Sequence, residues 1–188
     1  MIHINFELGL FNIYIFLIVY LIITNLSFIN RKRNRAKEPS ERKIKRDNFS
    51  RVTYILSSIM FALVIIISFF LPIDFNSILF YLGLFLWAIG IIIVSSTSMS
   101  WIKTPENKLV TIGMYKYSRN PMYISFFFTY IGIGLISNSW IFLIITFVYI
   151  MIIMLEVKNE EKLCLKKYGD KYKNYMKKTP RWIGLKKK

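Results

Sequence analysis

A polar, basic and aromatic segment at residues 113–123 lies directly before an apolar run that begins at Ile124. It contains Arg119, Asn120 and Pro121 in succession. Because Asn is favoured at the N-cap and Pro at the first helical position, we expect a helix to begin here, with the Asn120 side chain accepting a backbone N–H bond. A helix N-terminus beside an arginine also suits an anion, such as the carboxylate of a small molecule.

A second polar block follows the next apolar run and begins with Glu160 and Glu161. Residues 165–176 then place Leu and Tyr side chains at helical spacing, with lysines on the other faces. This pattern predicts a helix that lies on the membrane surface and covers a pocket, although a simple membrane anchor shows the same stripe. Acids at the start of such a helix suit its dipole, and they equally suit a cationic or hydroxyl-rich ligand.

The chain as a whole is too apolar for a soluble domain, since 55% of its 188 residues are hydrophobic and 17% are aromatic. The long apolar stretches are residues 8–29, 52–71, 77–96 and 124–155. The last stretch is too long for one span, and the polar residues 137–139 divide it into a helical hairpin. We therefore predict an all-α integral membrane protein with five transmembrane helices, a C-terminal hairpin and a cytoplasmic interfacial helix.

The basic residues orient these helices. Every one of the 26 Lys and Arg residues lies in residues 31–51, 101–121 or 156–188. Five spans with the N-terminus outside place all three segments on one side, which the positive-inside rule identifies as the cytoplasm. The net charge of +16 then follows from topology, with anionic lipid headgroups of the bilayer as its partner. Because residues 31–51 lack interleaved stacking aromatics, we expect no nucleic-acid binding.

Several site classes are excluded by composition. Cys164 is the only cysteine and His3 the only histidine, so the chain has neither an intrachain disulfide nor a His/Cys metal cluster. Without a neighbouring histidine to activate its thiol, Cys164 is expected to be a structural residue. Gly83 and Gly90 share one helix face, where small residues most often allow close helix packing. The N-terminal apolar run lacks a cleavage signature and is expected to be a retained span.

The ordered motifs resemble the isoprenylcysteine carboxyl methyltransferase family, a broad group that includes phospholipid and thiol methyltransferases of membranes. They are Leu-Val-Thr-Ile-Gly-Met-Tyr at residues 109–115, Arg-Asn-Pro-Met-Tyr at 119–123, the pair Glu160 and Glu161, Tyr168-Gly169, Tyr172, Tyr175 and Pro180-Arg181. The resemblance covers roughly residues 107–181, whereas residues 1–96 match only as helical spans. It implies S-adenosylmethionine bound at the cytosolic interface and methyl transfer to a lipophilic acceptor that enters from the bilayer. The absence of G-x-G-x-x-G excludes a soluble-type cofactor loop.

The resemblance also implies roles for individual residues. By position, the cofactor contacts fall on Asn107, Lys108, Leu109, Val110, Tyr115, Asn120, Pro121, Met122, Tyr123 and Glu160. Arg119, on the anion argument, and Asn120 are the catalytic candidates. The family often has His at position 120, so proton transfer is lost there while hydrogen bonding remains. The carboxyl methyltransferases place Arg four residues before the cofactor glutamate, but Glu156 occupies that position here. We therefore expect a non-anionic acceptor, bound by Glu156 and Arg181.

The motifs divide the chain into two regions. Residues 1–96 hold three transmembrane helices with a basic cytoplasmic loop at 30–51, and residues 97–188 form the methyltransferase region with the hairpin 121–155 and a cytoplasmic tail. Two other functions remain open. A non-enzymatic scaffold or small transporter would be expected to carry ionisable residues inside its spans, and these spans have none. The second open function is that of a reductase, which would have a similar architecture on the cofactor side but would use a nicotinamide cofactor.

Overall fold

The computed structural model describes residues 12–35, 48–105 and 108–184, and this part of the chain is helical throughout. Its helices are α1 (Tyr14–Arg35), α2 (Asn48–Ser68), α3 (Ile78–Lys103), α4 (Pro121–Ile136), α5 (Trp140–Tyr168) and α6 (Asp170–Lys178). A 3₁₀ turn at Gly113–Lys116 precedes α4. Within the described residues, strand-like pairing is limited to one bridge between Asn12 and Pro72. The all-α prediction is confirmed.

Among the residues that the structure describes, three helices are long and apolar enough to cross a membrane: Arg51–Ser68 within α2, and the whole of α3 and α5. The apolar parts of α1 and α4, Tyr14–Asn30 and Pro121–Ile136, are shorter. The 16 residues of α4 rise about 24 Å at 1.5 Å per residue, against a hydrocarbon core of about 30 Å. A helix of this length starts below the membrane surface or lies where the bilayer is thinner.

The antiparallel pair α3 and α4 is packed through glycines. A Cβ atom on Gly132 would lie 2.6 Å from both the carbonyl oxygen of Gly83 and the amide nitrogen of Trp87. A Cβ atom on Gly90 would lie 2.8 Å from the amide nitrogen of Thr129. No side chain fits at these positions, so the two backbones approach each other directly. The prediction that Gly83 and Gly90 allow close packing is confirmed.

The predicted hairpin joins α4 to α5. Ser139 caps α5, with its Oγ accepting a bond from the Phe142 N–H at 3.3 Å. The turn also holds the connection between α2 and α3, because Asn138 Nδ2 donates to Asp74 Oδ2 at 3.3 Å and the Asp74 N–H donates to the Ile136 carbonyl at 3.0 Å. Two hairpin turns are thus tied together at this end of the bundle.

The position of Glu160 and Glu161 differs from the prediction. They lie in the C-terminal half of α5, which continues as one helix to its end at Gly169, rather than at the start of an interfacial helix. Gly169 has φ +54, a left-handed conformation that glycine adopts without strain. The helix ends there because glycine accommodates this positive φ, and α6 follows with Tyr172 and Tyr175 buried. The two acids therefore gain nothing from a helix N-terminal dipole.

Candidate functional site

A cavity of about 550 Å³ opens at one end of the bundle, where α1, α3 and α5 end and α2 and α4 begin. Every one of the six helices contributes to its wall, together with the segment that joins α3 to α4. The volume falls within the roughly 300 to 1,000 Å³ typical of small-molecule sites. The cavity is therefore large enough for a cofactor-sized ligand.

Most of the predicted site residues line this cavity. They are Leu109, Val110, Tyr115, Arg119, Asn120, Met122, Tyr123, Glu156 and Glu160. Lys108 is exposed and Pro121 is buried, and neither is part of the wall. Arg181 does not line the cavity and is joined to it through Glu161. Asn107 lies outside the described residues.

Glu161 binds two arginines at once, a role that the sequence pattern did not predict. Its side chain is only 5% exposed. Oε2 accepts from Nη2 and Nε of Arg181 at 2.7 and 3.0 Å, and Oε1 lies 3.4 Å from Nη2 of Arg119. Asn120 Nδ2 also donates to Oε1, at 3.1 Å. We call these four residues the Glu161 cluster, in which one carboxylate faces two guanidinium groups.

Two hydrogen-bond donors of the Arg119 side chain are not used by any described residue. Its side chain is 8% exposed and lines the cavity. Nε and Nη1 are buried and have no hydrogen-bond partner among the described residues. A buried donor without a partner costs about 1 to 3 kcal/mol, and more when the group is charged. An anionic ligand group placed against Arg119 would satisfy both atoms.

The predicted cap of α4 is wrong in one respect. Asn120 does precede the helix, but its side chain makes no capping bond. Its Nδ2 instead donates to Glu161 Oε1 and to the Arg181 carbonyl, both at 3.1 Å. A cap bond would be accepted by Oδ1, but the two bonds donated by Nδ2, one of them to a buried carboxylate, hold the side chain in a different orientation. Asn120 thus belongs to the Glu161 cluster.

Two more acids lie one helical turn apart on α5 and face the cavity. Glu160 Oε2 accepts a bond from the Tyr123 hydroxyl at 2.9 Å. Glu156 is 8% exposed. Because positions i and i+4 share a helix face, both carboxylates line the same wall. Ionised carboxylates only accept hydrogen bonds, so this wall suits a ligand with ammonium, amine or hydroxyl groups.

An aromatic cluster forms the floor of the cavity. Fully buried Tyr130 stacks 3.9 Å from Phe126 and contacts Tyr20 and Tyr149, with ring centroids 6.1 and 6.3 Å away. Tyr20, Phe126 and Tyr149 also line the cavity. Sequence reasoning missed these residues of α1, α4 and α5. The one available signal was a tyrosine hydroxyl within an apolar span, which needs a polar partner or a cavity in the membrane.

The C-terminal segment 179–184, which we call the strap, is bonded to the loop that carries Arg119. The Arg119 N–H donates to the Pro180 carbonyl at 3.0 Å, the Gly184 N–H donates to the Tyr117 carbonyl at 3.3 Å, and the Ser118 hydroxyl donates to the Arg181 carbonyl at 3.1 Å. These bonds are distributed along the whole strap. The strap therefore fixes the backbone position of the loop.

Tyr175 of α6 holds the same loop from another side. Its hydroxyl lies 2.6 Å from the Tyr115 carbonyl, to which it donates, and 3.4 Å from the Ser118 carbonyl. Burial raises the pKa of Tyr175 above the ordinary tyrosine value, and neighbouring tyrosines raise it further. Its hydroxyl therefore remains a hydrogen-bond donor at neutral pH.

Comparison with known proteins agrees with this geometry. Residues 52–171 match the protein family described as phospholipid methyltransferase. Over 84 residues the chain is 30% identical to the Protein-S-isoprenylcysteine O-methyltransferase of Schizosaccharomyces pombe (strain 972 / ATCC 24843), a stretch that covers 44% of this chain and 36% of that relative. No solved structure matches the chain. The family match begins at residue 52 and so includes α2 and α3, beyond the motif-based resemblance.

Proposed function

The chain belongs to the phospholipid methyltransferase family, and we propose that it is an integral membrane enzyme that uses S-adenosylmethionine to methylate a lipophilic acceptor. The observation that carries this proposal is the cavity in which Arg119, with two unused buried donors, lies in one wall with Glu156 and Glu160. The isoprenylcysteine methyltransferase relative supports the reaction class.

We propose five transmembrane helices, with the N-terminus outside and the cavity at the cytoplasmic face. The cavity lies at the end of the bundle to which the loop with Lys116 and Arg119 belongs. The opposite end holds the turns at residues 72–77 and 137–139, in which Asp74 is the only charged residue. The positive-inside rule therefore supports the cavity end as cytoplasmic.

The charges of the cavity suit the cofactor. S-adenosylmethionine carries a carboxylate, an ammonium group and a sulfonium, and therefore one net positive charge. The side chains of the wall and the Glu161 cluster that carry a charge at neutral pH are two arginines and three glutamates: Arg119, Arg181, Glu156, Glu160 and Glu161. Their net charge is one negative, complementary to the cofactor. Nε and Nη1 of Arg119 suit the carboxylate, while Glu160 and the tyrosine rings suit the cationic groups.

Bound there, the cofactor would supply a methyl group that is already activated by its sulfonium. The protein then contributes position and the exclusion of water. Arg119 would hold the carboxylate and Glu160 a cationic group of the cofactor, and Tyr123 is itself held by its bond to Glu160. The aromatic floor of Tyr20, Phe126 and Tyr149 keeps water from the reacting atoms.

We propose that the acceptor is an amine, hydroxyl or thiol on an apolar body. Glu156 is almost fully buried in the wall, where it would repel an anionic acceptor and accept a hydrogen bond from a neutral or cationic one. Phe28 and Tyr54 line the cavity and are 58% and 50% exposed, so the cavity reaches the membrane-facing surface of α1 and α2. An acceptor dissolved in the bilayer can enter by that route.

The first test is calorimetric titration of the purified protein with S-adenosylmethionine, followed by transfer of labelled methyl groups to a membrane lipid extract. Saturable binding and a labelled lipophilic product are expected. A scaffold or transporter would give no methylated product, and a nicotinamide reductase would bind its own cofactor instead. Absence of cofactor binding in a folded preparation would contradict the proposal.

A further inference from the structure

We infer that Glu161 is a positioning residue that acts through Arg119. It holds the Arg119 guanidinium so that two of its donors remain available to the cavity, and it fastens the strap over the loop before α4. The inference rests on the proposed function, because it concerns how the cofactor carboxylate is recognised.

The hydrogen-bonding capacity of Glu161 is already in use. Oε1 faces Nη2 of Arg119 and Nδ2 of Asn120, and Oε2 accepts two bonds from Arg181. A carboxylate offers about four lone-pair sites, and each oxygen already has two partners. Glu161 therefore has no acceptor left for a ligand, although it lies in the cavity wall.

The other side of the cluster is incomplete. Arg119 contributes only Nη2 to Glu161, so Nε and Nη1 remain buried without a partner among the described residues. Two guanidinium groups share one carboxylate, which leaves one positive charge of the Glu161 cluster uncompensated. A carboxylate would supply both the missing acceptors and the missing negative charge of this cluster, and Arg119 is the member whose free donors it would meet.

Glu161 also connects three parts of the chain that are distant in sequence. It lies on α5, Arg119 and Asn120 lie in the loop before α4, and Arg181 lies in the strap. Without its charge, the two guanidinium groups would repel each other. The loop and the strap would then separate, and the Arg119 donors would lose their fixed direction.

The test compares two ligands that differ only in the group that Arg119 binds. Glu161→Gln removes the charge and places an NH₂ group against donors, and we expect the affinity for S-adenosylmethionine to fall about 10- to 100-fold. The affinity for decarboxylated S-adenosylmethionine should change little, because that ligand has no carboxylate. Arg119→Gln should show the same selectivity, and the double variant should lose little more than either single variant.

A second readout needs no cofactor. In Glu161→Gln, amide hydrogen exchange should rise in peptides that contain Arg119 and Gly184, whose N–H groups bond across the loop and the strap. If Glu161→Gln does not fold, Arg181→Gln replaces it, because that side chain is 38% exposed and its loss leaves the carboxylate in place. The replacement should show faster exchange, while its affinities for both ligands stay near those of the wild type, because Glu161 still holds Arg119. Asp170→Asn, at an exposed ion pair on α6, is the matched control.

The outcomes separate the two proposals. If the wild-type protein binds neither ligand, the proposed function fails, whereas the exchange experiment still decides the role of Glu161. Equal losses of affinity for both ligands would show that Glu161 has only a structural role. In Glu161→Gln, unchanged affinities, or unchanged exchange at Arg119 and Gly184, would also overturn the inference.

Discussion

The adjacent glutamates of α5 have different hydrogen-bond partners, because successive side chains of a helix point about 100° apart. Glu160 faces the cavity and accepts the Tyr123 hydroxyl, whereas Glu161 turns to the arginines of the loop and strap. The motif-based comparison places a cofactor contact at Glu160 alone. The structure adds Glu161 as the residue that orders Arg119. Substitution of Glu160 and substitution of Glu161 should therefore change the affinities for the two forms of the cofactor differently.

Glu160→Gln should weaken binding of S-adenosylmethionine and of its decarboxylated form alike, because Glu160 is proposed to bind a cationic group present in both. Loss of one charge-assisted hydrogen bond corresponds to roughly 10- to 150-fold in affinity. Calorimetry measures both constants, with Asp170→Asn as the isosteric control at an exposed site. Wild-type affinity in Glu160→Gln would remove this residue from the site.

Glu156 should decide the class of acceptor. We expect little or no methylation of a farnesylcysteine analogue and measurable methylation of an amine- or thiol-bearing lipophile, because a buried carboxylate disfavours an anionic acceptor. Labelled-cofactor assays with matched acceptors measure the ratio, and Glu156→Arg should shift it towards the carboxylate. Efficient carboxyl methylation by the wild-type protein would refute the role of Glu156.

At the scale of the elements, two contacts locate the site. The glycine-lined pair of α3 and α4 fixes where α4 begins, and Tyr175 together with the strap fixes the loop before it. Tyr175 lines the cavity, whereas the glycines of α3 and α4 do not. Both contacts determine where Arg119 and Tyr123 lie, because rigid supporting elements set the geometry of a site.

Gly132→Ala should destabilise the bundle, since the new methyl group would lie 2.6 Å from backbone atoms of both Gly83 and Trp87. Overpacking of this kind typically costs about 1 to 3 kcal/mol. Thermal unfolding in detergent measures the effect. Ile131→Ala, at a 36% exposed position on the same helix, is the control and should change the midpoint little. Equal midpoints for Gly132→Ala and the wild type would contradict the close approach of α3 and α4.

Tyr175→Phe should loosen the loop and remove a pH dependence. The folded pKa of Tyr175 is raised, so its stabilising contribution is complete below the ordinary tyrosine pKa of about 10 and is lost as pH rises above it. The difference in unfolding midpoint between the wild type and Tyr175→Phe should therefore be constant from pH 7 to 9 and shrink above about pH 10. A difference that grows with pH would contradict the bond to Tyr115.

At the scale of the whole molecule, the two ends of the bundle differ in chemistry. One end holds the cavity and the described basic segments, and the other holds turns with Asp74 as their single charged residue. Such asymmetry is typical of a membrane protein with one orientation. In the proposed topology, the cofactor site is within reach of the cytosol and, through α1 and α2, of the bilayer.

Impermeant thiol labelling of intact cells tests the orientation. Cys164 is expected to be cytoplasmic, but it is partly buried in the cavity wall and is a poor reporter. In a Cys164→Ser background, Asn138→Cys at the exposed turn should label from outside, while Lys173→Cys on α6 should label only after permeabilisation. The reverse pattern would invert the proposed topology.

Sequence reasoning located the helices and nine of the residues that line the cavity, because their signals are local. Each signal depends only on residues that are close together in sequence. These signals are the length of each apolar run, the polar break at residues 137–139 and the Asn-Pro start of α4. The start of α4 and the hairpin followed from them. The motifs at residues 109–115 and 119–123 then predicted much of the cavity wall, and the structure brings these segments together.

The partners of the buried polar groups could not be read in this way, because they depend on contacts between distant segments. The Asn120 side-chain amide donates a hydrogen bond to Glu161, 41 positions away, and does not cap its own helix. Likewise, Tyr20 of α1 meets Tyr130 of α4 only because α3 and α4 pack closely enough to bring the helices together. A local pattern indicates that a group is polar or apolar, whereas burial in the folded bundle selects which strong acceptor it binds.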